Sequence, residues 1–369
     1  MLPWRDDLQD QGAALAKSLE AIDDADFAVA VKKEADQRYR LFNQGVATYK
    51  EHSYRRSLKE PPVLWQEGST RLLDYAPGKA APPLLLVPSL INKAYVLDLK
   101  EKRSLARHLA NKGFRPLLVD WGAPGDVERS FTMTDYVAGR LESALDAALK
   151  ETKAKSLGMI GYCMGGTLAL ALAQRRPDAL NRLAFLATPW DFHAGAPGRK
   201  EQMQAFAAQM DPMIEVQGEL SIDLIQTLFA TLDPFKVPSK FCKLAALDPT
   251  SAKSQDFVAI EDWVNDGVPL AGPVARETMW KWYGENTPAW GAWQIDGRPV
   301  LPEEVKTPSL VVVPSNDTIV PPESALALFN ILPNATKRVL SQGHISMMAG
   351  PKAASALYGP ISQWFAPKP

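Results

Sequence analysis

Leu157-Gly158-Met159-Ile160-Gly161-Tyr162-Cys163-Met164-Gly165-Gly166-Thr167-Leu168-Ala169-Leu170-Ala171-Leu172-Ala173 is the stretch on which the reading of this chain turns. Leu157 to Ile160 is short and apolar, as a buried strand is. Thr167 to Ala173 is rich in helix formers. Between them Gly161, Gly165 and Gly166 bracket Cys163. Glycines so placed let strand and helix crowd together and let the central residue take a strained backbone. The pattern predicts a nucleophile elbow: strand, sharp turn, helix, with the nucleophile at the turn. Serine usually stands there; here it is sulfur. The helix N-terminus behind the thiol favours negative charge at that point. A cysteine so placed is expected to carry an acyl group as a thioester.

The bulk properties fit an enzyme of this kind. The chain has 369 residues, 46% hydrophobic and 22% charged, enough for a large core. Its net charge of −1 offers nothing to nucleic acid or to an anionic membrane surface. Cys163 and Cys242 are the two cysteines, so a reduced, cytoplasmic protein without disulfides is expected. The start, Met1-Leu2-Pro3-Trp4-Arg5-Asp6-Asp7, has charges where a signal peptide needs apolar residues. Ser156 to Gln174 is uncharged over 19 residues, a length that could span a bilayer. Its internal glycine turn argues for a buried strand and helix, so no transmembrane segment is expected. His and Cys never cluster at ligand spacing, and no metal site is expected.

Three regions follow from the pattern along the chain. Residues 1–60 read as a charged helical arm, with Leu15, Leu19, Ile22 and Phe27 at helical intervals. Residues 61–190 and 300–369 alternate strands with helices. Trp65–Tyr75 reads as an early hairpin, and Pro83–Val87, Arg115–Asp120, Ser156–Ile160, Arg182–Ala187, Ser309–Val313 and Lys337–Leu340 as strands. A helix is expected from Thr134 to about Lys150, with Thr134 or Asp135 as N-cap. Such alternation implies a mostly parallel central sheet with helices on both faces. Residues 191–299 break the rhythm. Met203, Met210, Met213, Phe229, Phe235, Phe241, Trp263, Trp280, Trp282, Trp290 and Trp293 crowd this stretch, which reads as a cap insertion.

A nucleophile needs a base, and the base needs an orienting acid. In the α/β-hydrolase fold the order along the chain is nucleophile, acid, base, the last two on loops after late strands. Asp317 follows Ser309–Val313 in Pro314-Ser315-Asn316-Asp317-Thr318-Ile319. His344 follows Lys337–Leu340 in Ser341-Gln342-Gly343-His344-Ile345. Of four histidines, His52 lies in the arm, His108 in a helical pattern and His193 at the cap entrance. Only His344 occupies the base position. Cys163, Asp317 and His344 are therefore the expected catalytic set. The oxyanion hole needs two backbone N–H groups. They are expected from Met164, next after the nucleophile, and from Leu90 in the loop after Pro83–Val87.

These residues resemble the polyhydroxyalkanoate synthase family. Gly161-Tyr162-Cys163-Met164-Gly165-Gly166-Thr167 is similar to its Gly-x-Cys-x-Gly-Gly box. Val87-Pro88-Ser89-Leu90-Ile91-Asn92-Lys93-Ala94-Tyr95-Val96-Leu97-Asp98-Leu99 resembles its oxyanion segment. Val119–Gly125, Ala187–Phe192 and Gly297–Ala325 resemble further parts, so the likeness runs over roughly residues 60–365. The short arm is similar to that of shorter members, some of which work with a second subunit. Two departures stand out. Thr318 stands where the family usually has histidine, and Ser315-Asn316 replace a glycine and a charged residue.

The resemblance implies an acyltransferase that polymerises (R)-3-hydroxyacyl-CoA through a Cys163 thioester and releases coenzyme A. Coenzyme A would be part of the substrate, with no separate cofactor. Partners implied are the growing polyester chain or a granule surface, and either a homodimer or a second synthase subunit, in the cytoplasm. A cysteine-dependent thioesterase, or an intracellular polyester depolymerase, would use the same three residues.

Overall fold

The structure, a computed structural model, describes residues 6–195, 197–232 and 236–367. Met1 to Arg5 and Phe235, both singled out above, lie outside the described residues. The chain divides into two compact units, Met1–Ser53 with Phe235–Gln255, and Tyr54–Pro234 with Asp256–Pro369.

The smaller unit is helical. It contains α1 (Asp6–Leu19), α2 (Asp24–Glu51) and, from much later in the sequence, α8 (Lys236–Ala245). Asp23 caps α2 by accepting from the amides of Ala25 and Asp26. Gly45 is what lets α8 approach α2, because a Cβ there would lie 2.0 Å from the Phe241 carbonyl oxygen. The Phe241 ring packs edge-on against Phe42 and Tyr49, each at 5.9 Å between centroids. The described part of the arm is helical over α1 and α2, and Leu15, Ile22 and Phe27, spaced as if for burial, are exposed.

The larger unit is built on one sheet of eight strands. They are β1 (Val63–Glu67), β2 (Thr70–Asp74), β3 (Pro83–Val87), β4 (Arg115–Asp120), β5 (Leu157–Tyr162), β6 (Leu180–Leu186), β7 (Ser309–Pro314) and β8 (Ala335–Leu340). Their spatial order is β1-β2-β4-β3-β5-β6-β7-β8. The β1–β2 and β2–β4 pairs are antiparallel and all the others parallel. The expected mostly parallel sheet of an α/β fold is therefore present, with the early hairpin at its edge.

The central strands bury both faces, as strands covered on two sides must. Leu85, Leu117, Met159, Phe185 and Val311 point into one core, while Leu86, Leu118, Ile160, Leu186 and Val312, their sequence neighbours, point into the other. One layer holds α4 (Glu142–Thr152) and α5 (Met164–Arg175); the other holds α3 (Leu105–Asn111) and the last helix, α11 (Gly359–Phe365). Asp135 does not cap the helix that leads into α4 in the expected way. Thr134 makes no side-chain cap, and the Asp135 carboxylate instead reaches back to the Thr132 amide at 2.7 Å. Between β6 and β7 the larger unit carries α6 (Arg199–Gln217) and α7 (Ile222–Leu232). After β7 come α9 (Pro322–Ile331) and α10 (His344–Ala349).

The parallel registers set the strand ends level. Val87 of β3 pairs with Gly161 of β5, and Pro314 of β7 with Leu340 of β8. The loops that follow therefore emerge along one edge, where ligands bind in open α/β sheets.

Gly165→Ala should destabilise the protein by roughly 1–3 kcal/mol, since overpacking of this size does so elsewhere. The new methyl would meet the Val87 and Pro88 carbonyl oxygens at 2.3 Å. Gly139→Ala, at a helical position with nothing within 4 Å of a built Cβ, should be neutral or mildly stabilising. Thermal unfolding of both variants checks the contrast.

Candidate active site

The elbow forms where the sequence pattern put it. Cys163 has φ 55° and ψ −131°, a region non-glycine residues rarely enter. Gly161, Gly165 and Gly166 make this conformation accessible by leaving room where strand, turn and helix crowd together. A Cβ on Gly161 would lie 2.4 Å from the Gly166 Cα, and one on Gly166 would lie 1.8 Å from Thr188 Oγ1. The Cys163 amide donates to the Leu186 carbonyl at 2.9 Å, pinning the turn to β6.

Met164 is the first residue of α5, so its amide has no partner inside the helix. The Gly165 contact with Val87 and Pro88 sets the β3 exit loop beside this amide. In that loop the Ile91 amide is already taken by Ser89 Oγ at 3.1 Å, and the Pro88 carbonyl accepts from Trp121 Nε1 at 3.0 Å. Leu90 lies between these anchors and is buried.

The structure brings Cys163, Asp317 and His344 together. Asp317 and His344 follow β7 and β8, which end side by side. His344 Nδ1 and Asp317 Oδ2 are 2.7 Å apart, both residues being buried. The other carboxylate oxygen, Oδ1, accepts from the Ile319 and Val320 amides, each at 2.9 Å. Cys163 acts on the same imidazole through its charge and side chain. Tyr162 stacks on the His344 ring at 5.1 Å and donates from its hydroxyl to the His344 carbonyl at 3.2 Å. Burial opposes protonation of His344, but the negative charges of Cys163 and Asp317 outweigh it and lift the imidazole to about 10.

The other histidines are engaged elsewhere. His52 Nε2 lies 2.8 Å from the Pro249 carbonyl within the helical unit. The His108 ring lies tilted against Tyr358 at 5.5 Å, and burial first, then Lys112, lowers its pKa. His193 Nε2 meets the Tyr283 carbonyl at 2.9 Å. Cys242 belongs to the helical unit and donates its thiol to the Arg38 carbonyl at 3.5 Å. Among the described residues no group of three potential metal ligands exists, and no helix is long and apolar enough to cross a membrane.

Two side chains that sequence reasoning did not single out complete the surroundings. A cavity of about 60 Å³ is lined by Ile91, Met203, Phe229 and Met279, with Arg199 and Tyr283 among its few polar groups. Burial raises the Tyr283 phenol to about 12; Arg199 opposes this, and Cys163 and Asp317 add to it. Arg199 itself donates to the carbonyls of Thr318 and Ile319 at 3.2 and 3.0 Å. Tyr283 sits in the Trp-rich stretch that sequence analysis read as a cap; Arg199 carries no local signal.

Residues 82–351 match the α/β-hydrolase fold family. Among curated proteins, the chain is 27% identical over 312 residues to the poly(3-hydroxyalkanoate) polymerase subunit PhaC of Haloferax mediterranei, covering 82% of this chain and 63% of that protein. It is 29% identical to the subunit of the same name from Synechocystis, covering 82% of this chain and 83% of the other. Among solved structures, the monoacylglycerol lipase of Paleococcus ferrophilus superposes with a TM-score of 0.52 at 17% identity, over 80% of this chain and 98% of that one. That likeness is one of fold.

His344 also links stability to pH. Its folded pKa, about 10, lies above the ordinary 6.5. Its contribution is therefore fully present below about pH 6.5 and fades as pH rises towards 10. The stability gap between the wild-type protein and His344→Gln should be widest at pH 6 and narrow steadily to pH 10. Thermal melts across that window check it; a gap that grows with pH contradicts the charge arrangement.

Proposed function

Starting from a chain that belongs to the α/β-hydrolase fold family, we propose an acyltransferase that uses Cys163 as nucleophile on (R)-3-hydroxyacyl-CoA and builds a polyester. The observation that carries the reading is the imidazole of His344, held by Asp317 at 2.7 Å and raised in basicity by Cys163 and Asp317 together. The similarity to poly(3-hydroxyalkanoate) polymerase subunits over about four-fifths of the chain supports the substrate class.

Each step balances. His344 holds the Cys163 proton as an imidazolium kept in place at Nδ1 by Asp317, so the sulfur attacks as a thiolate. The thiolate attacks the thioester carbonyl carbon. The resulting oxyanion is held by the amides of Met164 and Leu90. Collapse breaks the bond to the coenzyme A sulfur, which leaves with the proton from His344. An acyl-Cys163 thioester remains. The hydroxyl of another acyl unit or chain end then attacks it, His344 taking that proton. An ester forms, and the proton stays on His344 beside the Cys163 thiolate. Coenzyme A is a product here and no cofactor enters the cycle. Water must be kept from the acyl-enzyme, or the same residues hydrolyse it. The apolar lining around Met203, Phe229 and Met279 suits that task.

Incubation with (R)-3-hydroxybutyryl-CoA tests the reading. Coenzyme A release, an acyl adduct on Cys163 by mass spectrometry and accumulating polymer are the expected results. Free 3-hydroxybutyrate in place of polymer would make the protein a cysteine thioesterase. Cys163→Ala should abolish release and adduct, and His344→Gln should slow release by several orders of magnitude. Coenzyme A release at the wild-type rate from Cys163→Ala would remove the nucleophile assignment.

A further inference from the structure

Arg199 opens α6 and extends its guanidinium to the turn that carries Asp317. The geometry there is specific. The Thr318 carbonyl and the Ile319 N–H belong to one peptide unit, the Ile319 carbonyl and the Val320 N–H to the next. Arg199 Nη2 donates to the first carbonyl at 3.2 Å and Nη1 to the second at 3.0 Å. The two N–H groups of the same peptides donate to Asp317 Oδ1, both at 2.9 Å. Asp317 Oδ2 in turn meets His344 Nδ1 at 2.7 Å. A single side chain thus polarises both of the peptides that hold the carboxylate, and hydrogen bonds in such a series strengthen one another.

We propose that Arg199 is a positioning residue for the acid of the triad, acting through these two peptide units to fix and polarise the carboxylate that orients His344. The inference rests on the catalytic reading above. Two further observations support it. A cation at a helix N-terminus is disfavoured by its own helix, so its place there calls for compensation from outside. Among the described residues that compensation is the pair of carbonyls, with no carboxylate. Arginine suits the task because its planar fork spans two acceptors and stays charged at any working pH. Arg199 also lines the apolar cavity, together with Ile91 and Tyr283. An acyl group entering that cavity would meet the same side chain that steadies the acid.

Single-turnover acylation of Cys163 by (R)-3-hydroxybutyryl-CoA, with iodoacetamide alkylation of Cys163 followed against pH, provides the test on the full chain. The titratable and charged groups facing His344 are Cys163 and Asp317, with Tyr162 stacked on it and Tyr283 and Arg199 near the same edge. Arg199→Gln should slow acylation about tenfold, the effect of one modest charge-assisted hydrogen bond. It should also move the alkaline limb of the alkylation profile down by about one pH unit, because a less firmly held Asp317 supports less protonated His344. Asp317→Asn should be slower still, and the double variant no slower than Asp317→Asn alone.

Arg199→Lys, which keeps charge and much of the packing but cannot span both carbonyls, should recover only part of the rate. Effects of Arg199→Gln and Asp317→Asn that multiply in the double variant would overturn the proposal, as would a fully active Arg199→Lys. Asp317→Asn at the wild-type rate would take down the triad reading and this inference with it. A slow Asp317→Asn beside a wild-type Arg199→Gln would overturn the inference alone.

Discussion

Everything in the larger unit is arranged around the steric exclusion of side chains at the elbow. Cys163 holds a backbone conformation that costs on the order of 1–3 kcal/mol for a residue with a Cβ. It persists because neighbours on three sides leave no alternative. Gly161 and Gly166 abut each other, Gly166 abuts Thr188, and Gly165 abuts the end of β3. These contacts fix the ends of β3, β5 and β6 as one body. The first amide of α5 and the loop after β3 come to the same side of the sulfur as a result. The strain is thus the means by which a turn of sequence becomes a site assembled from several strand ends.

The charge arrangement follows from that placement. A buried imidazole alone would resist protonation. Here two anionic partners flank it, and their joint effect exceeds the cost of burial. The carboxylate is itself held by three hydrogen bonds, two from peptide amides and one from the imidazole. Its orientation is then a property of the β7–α9 turn, and whatever grips that turn has access to the nucleophile's chemistry. Tyr162 adds a neutral flank. Burial and the nearby Cys163 and Asp317 charges keep its phenol protonated, so it stacks on the imidazole without competing for its proton.

The parts that were legible in the sequence are those encoded by local, chemically distinctive patterns. The Gly-x-Cys-x-Gly-Gly turn, the position of Asp317 after a Val-Val-Val strand and the glycine before His344 each announce themselves within ten residues. The strand order, with β4 between β2 and β3, is set by pairing between distant segments and has no local mark. The same holds for α8, which joins α2 from nearly two hundred residues away through the small contact surface of Gly45. Leu15, Ile22 and Phe27 show the converse error: their helical spacing is real, but periodicity cannot say that a face will be covered. Arg199 and Tyr283 were missed because an arginine at a helix start, or a tyrosine among tryptophans, acquires meaning only from what lies across the fold.

Sulfur at the elbow has a consequence for the kind of chemistry this edge can support. Exchange of one thioester for another is nearly balanced in free energy, so the proposed acylation of Cys163 from a coenzyme A ester would need no large driving force. An oxygen nucleophile would drop into a more stable ester and give up the activation that a second acyl transfer requires. The thioester preserves that activation until an acceptor arrives. Whether the acceptor is a hydroxyl or water is then decided outside Cys163, Asp317 and His344, which treat the two alike. The surfaces around them then matter, and the apolar lining of Met203, Phe229 and Met279 disfavours water.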